Sequence, residues 1–190
     1  MLETELVLNK FWETVISESK QNLRSKKKNA SGRLSDSLGY NLKVNKPQAK
    51  NIPSSFESDF FMEDYGEFVD QGVIGVGGIK ADGTQWKKKN ASGSPYKYSS
   101  PSKTNSRGGF LLALNGWTIK RGIAPRSSTG KFQKRKGMLR AIRKSVIHTG
   151  LERTLFFRKP FDKWFKKLPE EVTEAYGLDV ENFLKFSLNA

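Results

Sequence analysis

The chain has 190 residues, with 34 Lys and Arg against 19 Asp and Glu, a net charge of +15 and no cysteine. That length can bury a real core in a single domain, and the lack of cysteine excludes disulfide staples, thiolate metal sites and cysteine nucleophiles. One histidine, His148, excludes a zinc site built from a histidine cluster.

Taken in chain order, residues 3–25 predict an amphipathic helix. Leu8, Phe11, Trp12, Val15, Ile16 and Leu23 recur at spacings of three and four, and Lys26, Lys27 and Lys28 suit the negative end of its dipole. Residues 38–46 alternate apolar and polar, as a half-buried strand does, and Pro47 closes them. Residues 55–62 read as the partner strand and 63–71 as a short helix or strand. Residues 73–109 are rich in Gly, Ser, Asn and Lys. They read as an extended basic loop or arm with little fixed structure, although it carries Trp86, Tyr96 and Tyr98. Residues 110–121 predict a helix with Phe110, Leu111, Leu114 and Trp117 or Ile119 inward. Residues 126–136 read as a linker, 137–149 as a helix and 153–158 as a strand or extended segment. A short helix follows over 161–168, and Pro169 opens a final helix with Glu170 and Glu171 in its first turn. The sum is an α+β fold: one domain over 1–190, with a small antiparallel sheet packed by the long N-terminal helix and the C-terminal helices.

Charge is unevenly spread. Residues 86–168 hold 22 basic and 2 acidic side chains, while 61–85 and 169–190 each carry a net −4. A block so one-sided points to a polyanion or an acidic protein as neighbour. The densest cations are Lys87, Lys88 and Lys89, then Lys131, Lys134, Arg135, Lys136, Arg140, Arg143 and Lys144. They are the expected contacts to nucleic acid or an acidic partner. Aromatic rings interleave with them, as on surfaces that track a nucleic-acid backbone. The heptapeptide Lys-Lys-Lys-Asn-Ala-Ser-Gly occurs twice, at 26–32 and 87–93. Its flanks do not match, so it is no duplicated domain; it reads as two equivalent phosphate or acidic-patch contacts, or as drift of basic surface loops.

Catalytic chemistry is hard to place. No Gly-x-Ser-x-Gly, phosphate-loop or dinucleotide fingerprint is present. Glu63, Asp64, Glu67 and Asp70 are spaced so that three share a helical face, which suits Mg²⁺ in a nuclease, but the usual lysine and strand-borne acids are missing. No enzyme and no cofactor is expected. No apolar stretch approaches the roughly 20 residues that span a bilayer. The acidic N-terminus lacks the basic start of a secretory signal, so assembly in a cytoplasm is expected.

The order of segments adds a family. A long helix leads into Ser31, Gly32, Leu34, Ser37 and Leu38. Then come Tyr65, Phe68, Val69, Asp70 and Gly72, and later Phe156, Phe157, Lys159, Pro160 and Phe161. This pattern resembles the head–tail joining, or tail-completion, proteins of tailed bacteriophages, of the kind seen in crAss-like and related phages of Bacteroidetes. Asp70-Gln71-Gly72-Val73 stands where the family usually has Glu-x-Gly-Thr, and the segment 73–106 is longer than usual. The resemblance implies a structural virion protein of the neck or connector. It would form a homo-oligomeric ring of about twelve copies, with about six as the alternative. The ring would lie between portal or adaptor and tail proteins, around the channel that packaged DNA traverses. Tyr65, Phe68, Asp70, Trp86, Tyr96 and Tyr98 are the expected subunit-interface residues. A sequence-independent nucleic-acid-binding protein is the alternative.

Overall fold

A computed structural model describes residues 2–45, 55–99 and 109–188. The elements in order are α1 (Glu3–Ser25), α2 (Arg33–Ser37), β1 (Gly39–Asn45), β2 (Ser55–Phe61), α3 (Gly66–Gln71), β3 (Val73–Ile74), α4 (Gly109–Lys120), α5 (Arg135–Thr149), β4 (Gly150–Leu151), α6 (Arg158–Phe165) and α7 (Leu168–Leu188). The fold class is α+β. Backbone contacts group the chain into two compact units: residues 1–25, 34–63 and 156–190 form the first, 26–33 and 64–155 the second.

The first unit is organised by one indole. β1 and β2 pair antiparallel with Tyr40 opposite Phe60. Trp12 of α1 stacks on both rings, at 6.2 Å from Tyr40 and 5.8 Å from Phe60. Such contacts add to the plain burial of ring area. Phe11 meets the edge of Phe161 on α6, and Phe60 stacks on Phe157 at 4.1 Å. Phe11, Trp12 and Val15 are the buried centre, with Trp164 and Leu168 packed around them. The helix also buries Thr4 and Ser19, which the apolar stripe did not announce. The Ser19 hydroxyl is satisfied within the helix by the Val15 carbonyl, at 2.7 Å. Glu18 of α1 accepts from the Lys163 ammonium at 2.8 Å and from the Trp164 indole N–H at 3.0 Å. Those bonds hold its carboxyl below the usual range against a smaller opposing push from desolvation.

The N-terminal turn of α1 leaves backbone N–H groups unpaired. Asp179 of α7 supplies the missing acceptor. Its carboxylate takes the Glu3 N–H at 2.7 Å, the Thr4 N–H at 3.0 Å and the Thr4 hydroxyl at 2.8 Å. Burial alone would raise its pKa, but these donors win and the value lies below the ordinary 3.8.

The second unit is built on backbone proximity. β3 and β4 pair antiparallel, Val73 with Leu151 and Ile74 with Gly150. Ile74 is also bridged on its other edge: its N–H donates to Tyr96 and its carbonyl accepts from Tyr98. Gly72 and Gly150 have φ of 75° and 81°, a region only glycine enters freely. A Cβ on Gly72 would also come within 2.7 Å of the Leu151 carbonyl and the Arg153 nitrogen.

Several boundaries differ from the sequence reading. Residues 73–99 are not an unstructured arm. The Val76 and Gly77 N–H groups bond to Ile147 and His148, and the Lys89 N–H to Thr149. The remainder of the expected arm, 100–108, lies outside the described residues, as do Lys46 and Pro47. Residues 126–136 are not a linker: Arg126 bridges Phe132, and α5 begins already at Arg135. Residues 153–158 form no strand; Leu155 takes a φ of 52° and α6 starts at Arg158. On α4, Trp117 and Ile119 face solvent rather than inward, and Thr118 is the buried residue.

Asp179→Ala should lower stability at neutral pH by about 1 kcal/mol, the usual worth of a helix cap. Because the folded pKa is depressed, the contribution is complete above the ordinary carboxylate value. It should fade as pH falls through the lower folded value, so urea curves of wild type and variant should converge in acid. A gap that persists at low pH would contradict the assignment.

Candidate interaction surface

Charge separates between the two units. Residues 26–33 and 64–155 hold 22 Lys and Arg against 5 Asp and Glu, a net +17. The rest of the chain holds 12 against 14, a net −2. Among the described residues, Lys43, Lys163 and Lys185, which carry ion pairs, lie in the first unit. In the second unit Lys87, Lys88, Lys89, Lys131, Lys134, Lys136, Arg140 and Lys144 are exposed, and Arg135 and Arg143 are half-buried.

Two hairpins and one helix carry these cations. In the first hairpin Lys80 and Thr84 close a three-residue loop: the Lys80 N–H donates to Thr84 at 2.7 Å and the Gly83 N–H to Lys80 at 3.1 Å. The Asp82 carboxylate accepts from the Thr84 N–H at 3.0 Å and hydroxyl at 2.6 Å. Those bonds, the hydroxyl first, pull its pKa down. The hairpin is pinned by Trp86, whose ring stacks on His148 at 5.1 Å with the Lys80 ammonium 5.3 Å from its centroid. The His148 Nδ1 meets the Gly77 carbonyl. Lys87, Lys88 and Lys89 follow directly, and the Lys88 stem lies against Gly77. An open depression of about 290 Å³ sits there, lined by Gly77, Gly78, Ile79, Gln85, Trp86 and Lys88.

The second hairpin repeats the first. The Ser127 N–H donates to Lys131 and the Gly130 N–H to Ser127, with Gly130 at φ 80°. Arg126 lies over the Phe132 ring at 4.1 Å and donates to the Gly130 carbonyl. On α5, Lys136, Arg140, Arg143 and Lys144 follow at steps of three and four and share a face.

The duplicated heptapeptide converges on one stretch of backbone. In the second copy the Asn90 carbonyl accepts from the Arg153 N–H at 3.0 Å, and the Ser92 carbonyl from the Arg153 guanidinium at 2.7 Å. In the first copy the Lys26 ammonium meets the Thr154 carbonyl. The closing glycines match in hand, with Gly32 at φ 80° and Gly93 at 74°.

The residues expected at a subunit interface are mostly engaged inside the second unit. Phe68 meets Tyr96 edge-on at 4.6 Å, and the Tyr96 hydroxyl donates to Glu67, which raises its pKa. Tyr98 lies 6.5 Å from Phe110, and burial raises its pKa. Asp70 is buried, and its carbonyl accepts from the Thr154 and Leu155 N–H groups. Tyr65 is exposed. Among the described residues no three His, Asp or Glu side chains gather to hold a metal. No described helix is long and apolar enough to cross a membrane.

Both hairpins were within reach of sequence signals that the linear reading passed over. Asp82-Gly83 and the Ser-Ser-Thr-Gly run at 127–130 are turn signatures. No family model, curated protein or solved structure matches the chain.

Trp86→Ala should loosen the first hairpin without unfolding the first unit. Amide exchange at Lys80 and Lys89 should accelerate about tenfold or more, while the β1–β2 amides keep their protection. Unchanged exchange at both lysines would mean that the ring stack does not hold the hairpin.

Proposed function

We propose that this chain is a structural subunit of the neck of a tailed-phage particle, one copy of a closed ring between portal and tail around the DNA channel. The observation that carries the reading is the separation of charge, +17 on one unit and −2 on the other. A ring is built from heterologous contacts, in which one patch of a subunit meets a different patch of the next. A subunit with one intensely basic unit and one mildly acidic unit suits such head-to-tail contacts, and the remaining positive charge suits the wall of a channel that DNA traverses. In this role the protein binds and positions other macromolecules and needs no catalytic group.

The alternative, sequence-independent nucleic-acid binding, is favoured by the exposed cations of the hairpins and α5. In that reading the lysines and arginines contact phosphates.

Purified particles should contain the protein at a fixed low copy number, near about six or about twelve, measured by quantitative mass spectrometry beside light scattering of the isolated chain. Absence from particles together with a monomer in solution would sink the ring reading. For DNA contact, neutralising Lys134, Arg135 and Lys136 together should flatten the slope of log affinity against log salt, by ~0.9 for each phosphate that is no longer neutralised. An unchanged slope would remove this run from the DNA-facing surface.

A further inference from the structure

We infer that the C-terminal helix of one copy docks, through its Val180–Leu184 flank, into the groove between α4 and α5 of a second copy. The inference rests on the ring reading and names the two surfaces that would join neighbours.

The groove comes first. From Gly109 to Ile119, α4 carries no charged side chain. A helix apolar all round belongs in a buried setting. Yet Leu112 is 76% exposed and Ile119 57%, two turns apart on one line with Asn115 between them. Beside that line lies an open depression of about 370 Å³, lined by Leu111, Leu112 and Asn115 of α4 and by Arg135, Lys136 and Leu139 of α5. Its floor is apolar and its rim cationic. An exposed apolar stripe of this kind marks a binding surface. DNA phosphates suit the rim but leave the floor in water; an anionic amphipathic helix suits both.

The chain itself contains such a helix. On α7, Val180 is 40% exposed and Leu184 53%, one helical turn apart. Glu170, Glu174 and Glu181 border that line, and residues 169–190 carry a net −4. The acidic helix belongs to the first unit and the groove to the second. Each copy therefore offers one of each, and the contact repeats from copy to copy. Opposite charge fixes the pairing and penalises groove-to-groove or helix-to-helix contact.

The absence of cysteine gives a clean test with the full-length chain. Leu112→Cys and Leu184→Cys chains, both altered at exposed positions, are mixed and oxidised. A disulfide between the two different variants, well above what either gives alone, is the expected result. Leu112→Asp should raise the concentration for half-assembly roughly tenfold with unchanged thermal stability, as removal of a central apolar anchor does. Failure of the mixed disulfide overturns the proposal, and so do disulfides confined to Leu112→Cys alone, which would make the groove a two-fold interface. The size by light scattering separates the two readings: a multi-copy assembly without the mixed disulfide keeps the ring and discards this contact, whereas a chain that is monomeric and absent from particles discards both.

Discussion

The basic unit depends on how closely two backbone segments approach, 69–77 against 147–155. Their mutual hydrogen bonds replace the wide sheet that this unit lacks. Gly72 and Gly150 are needed because a Cβ at either would strike the opposite backbone. Much of the rest of the unit is hung from it. The Trp86 hairpin returns to it through Lys89, both heptapeptides meet it at Arg153 and Thr154, and α5 runs directly into it. A bulky residue at Gly150 would therefore disturb the Trp86 hairpin and both heptapeptides rather than one turn.

That surface carries a self-repulsion which burial in this small unit does little to offset. A net +17 is favourable only beside anions. In the contact inferred above the acidic helix of a neighbour would answer part of it, leaving the rest for a further polyanion. The two demands overlap at Arg135 and Lys136 but otherwise concern different residues. The α4–α5 groove uses Arg135 and Lys136 at the edge of an apolar floor, while Lys87–Lys89 and Lys131 stand on loops with no apolar floor of comparable extent. Assembly and polyanion contact can thus coexist on one unit.

The parts of the fold legible from the sequence are those fixed by local periodicity. The stripe of α1, the alternation of β1 and the proline start of α7 each appear within a residue or two of the reading. What stayed hidden was set by contacts distant in the chain. Thr4 and Ser19 are buried because a carboxylate from α7 and a backbone carbonyl satisfy them, which no hydropathy pattern records. The ordering of 73–99 comes from pairing with 147–153, far along the chain, so its Gly-rich composition read as an arm. On α4 the hydrophobicity is uniform, and uniform hydrophobicity has no period from which to choose an inner face. For the candidate surface, the cations were legible as a charge block. Their gathering into one unit with the first heptapeptide was not, because residues 26–33 leave the sequence neighbourhood of α1 to join residues 64–155.

The first unit is stitched from three separate stretches of chain, and its central ring, Trp12, packs against residues beyond 155. On a ribosome this has a definite consequence. The basic unit has all its residues in hand once Leu155 has emerged, but Phe11 and Trp12 cannot find Phe157, Phe161 and Trp164 until α6 has followed. The last partners of these two rings are thus made long after the rings themselves. Until then Trp12 can stack only on Tyr40 and Phe60, and Phe11 still lacks the ring of Phe161.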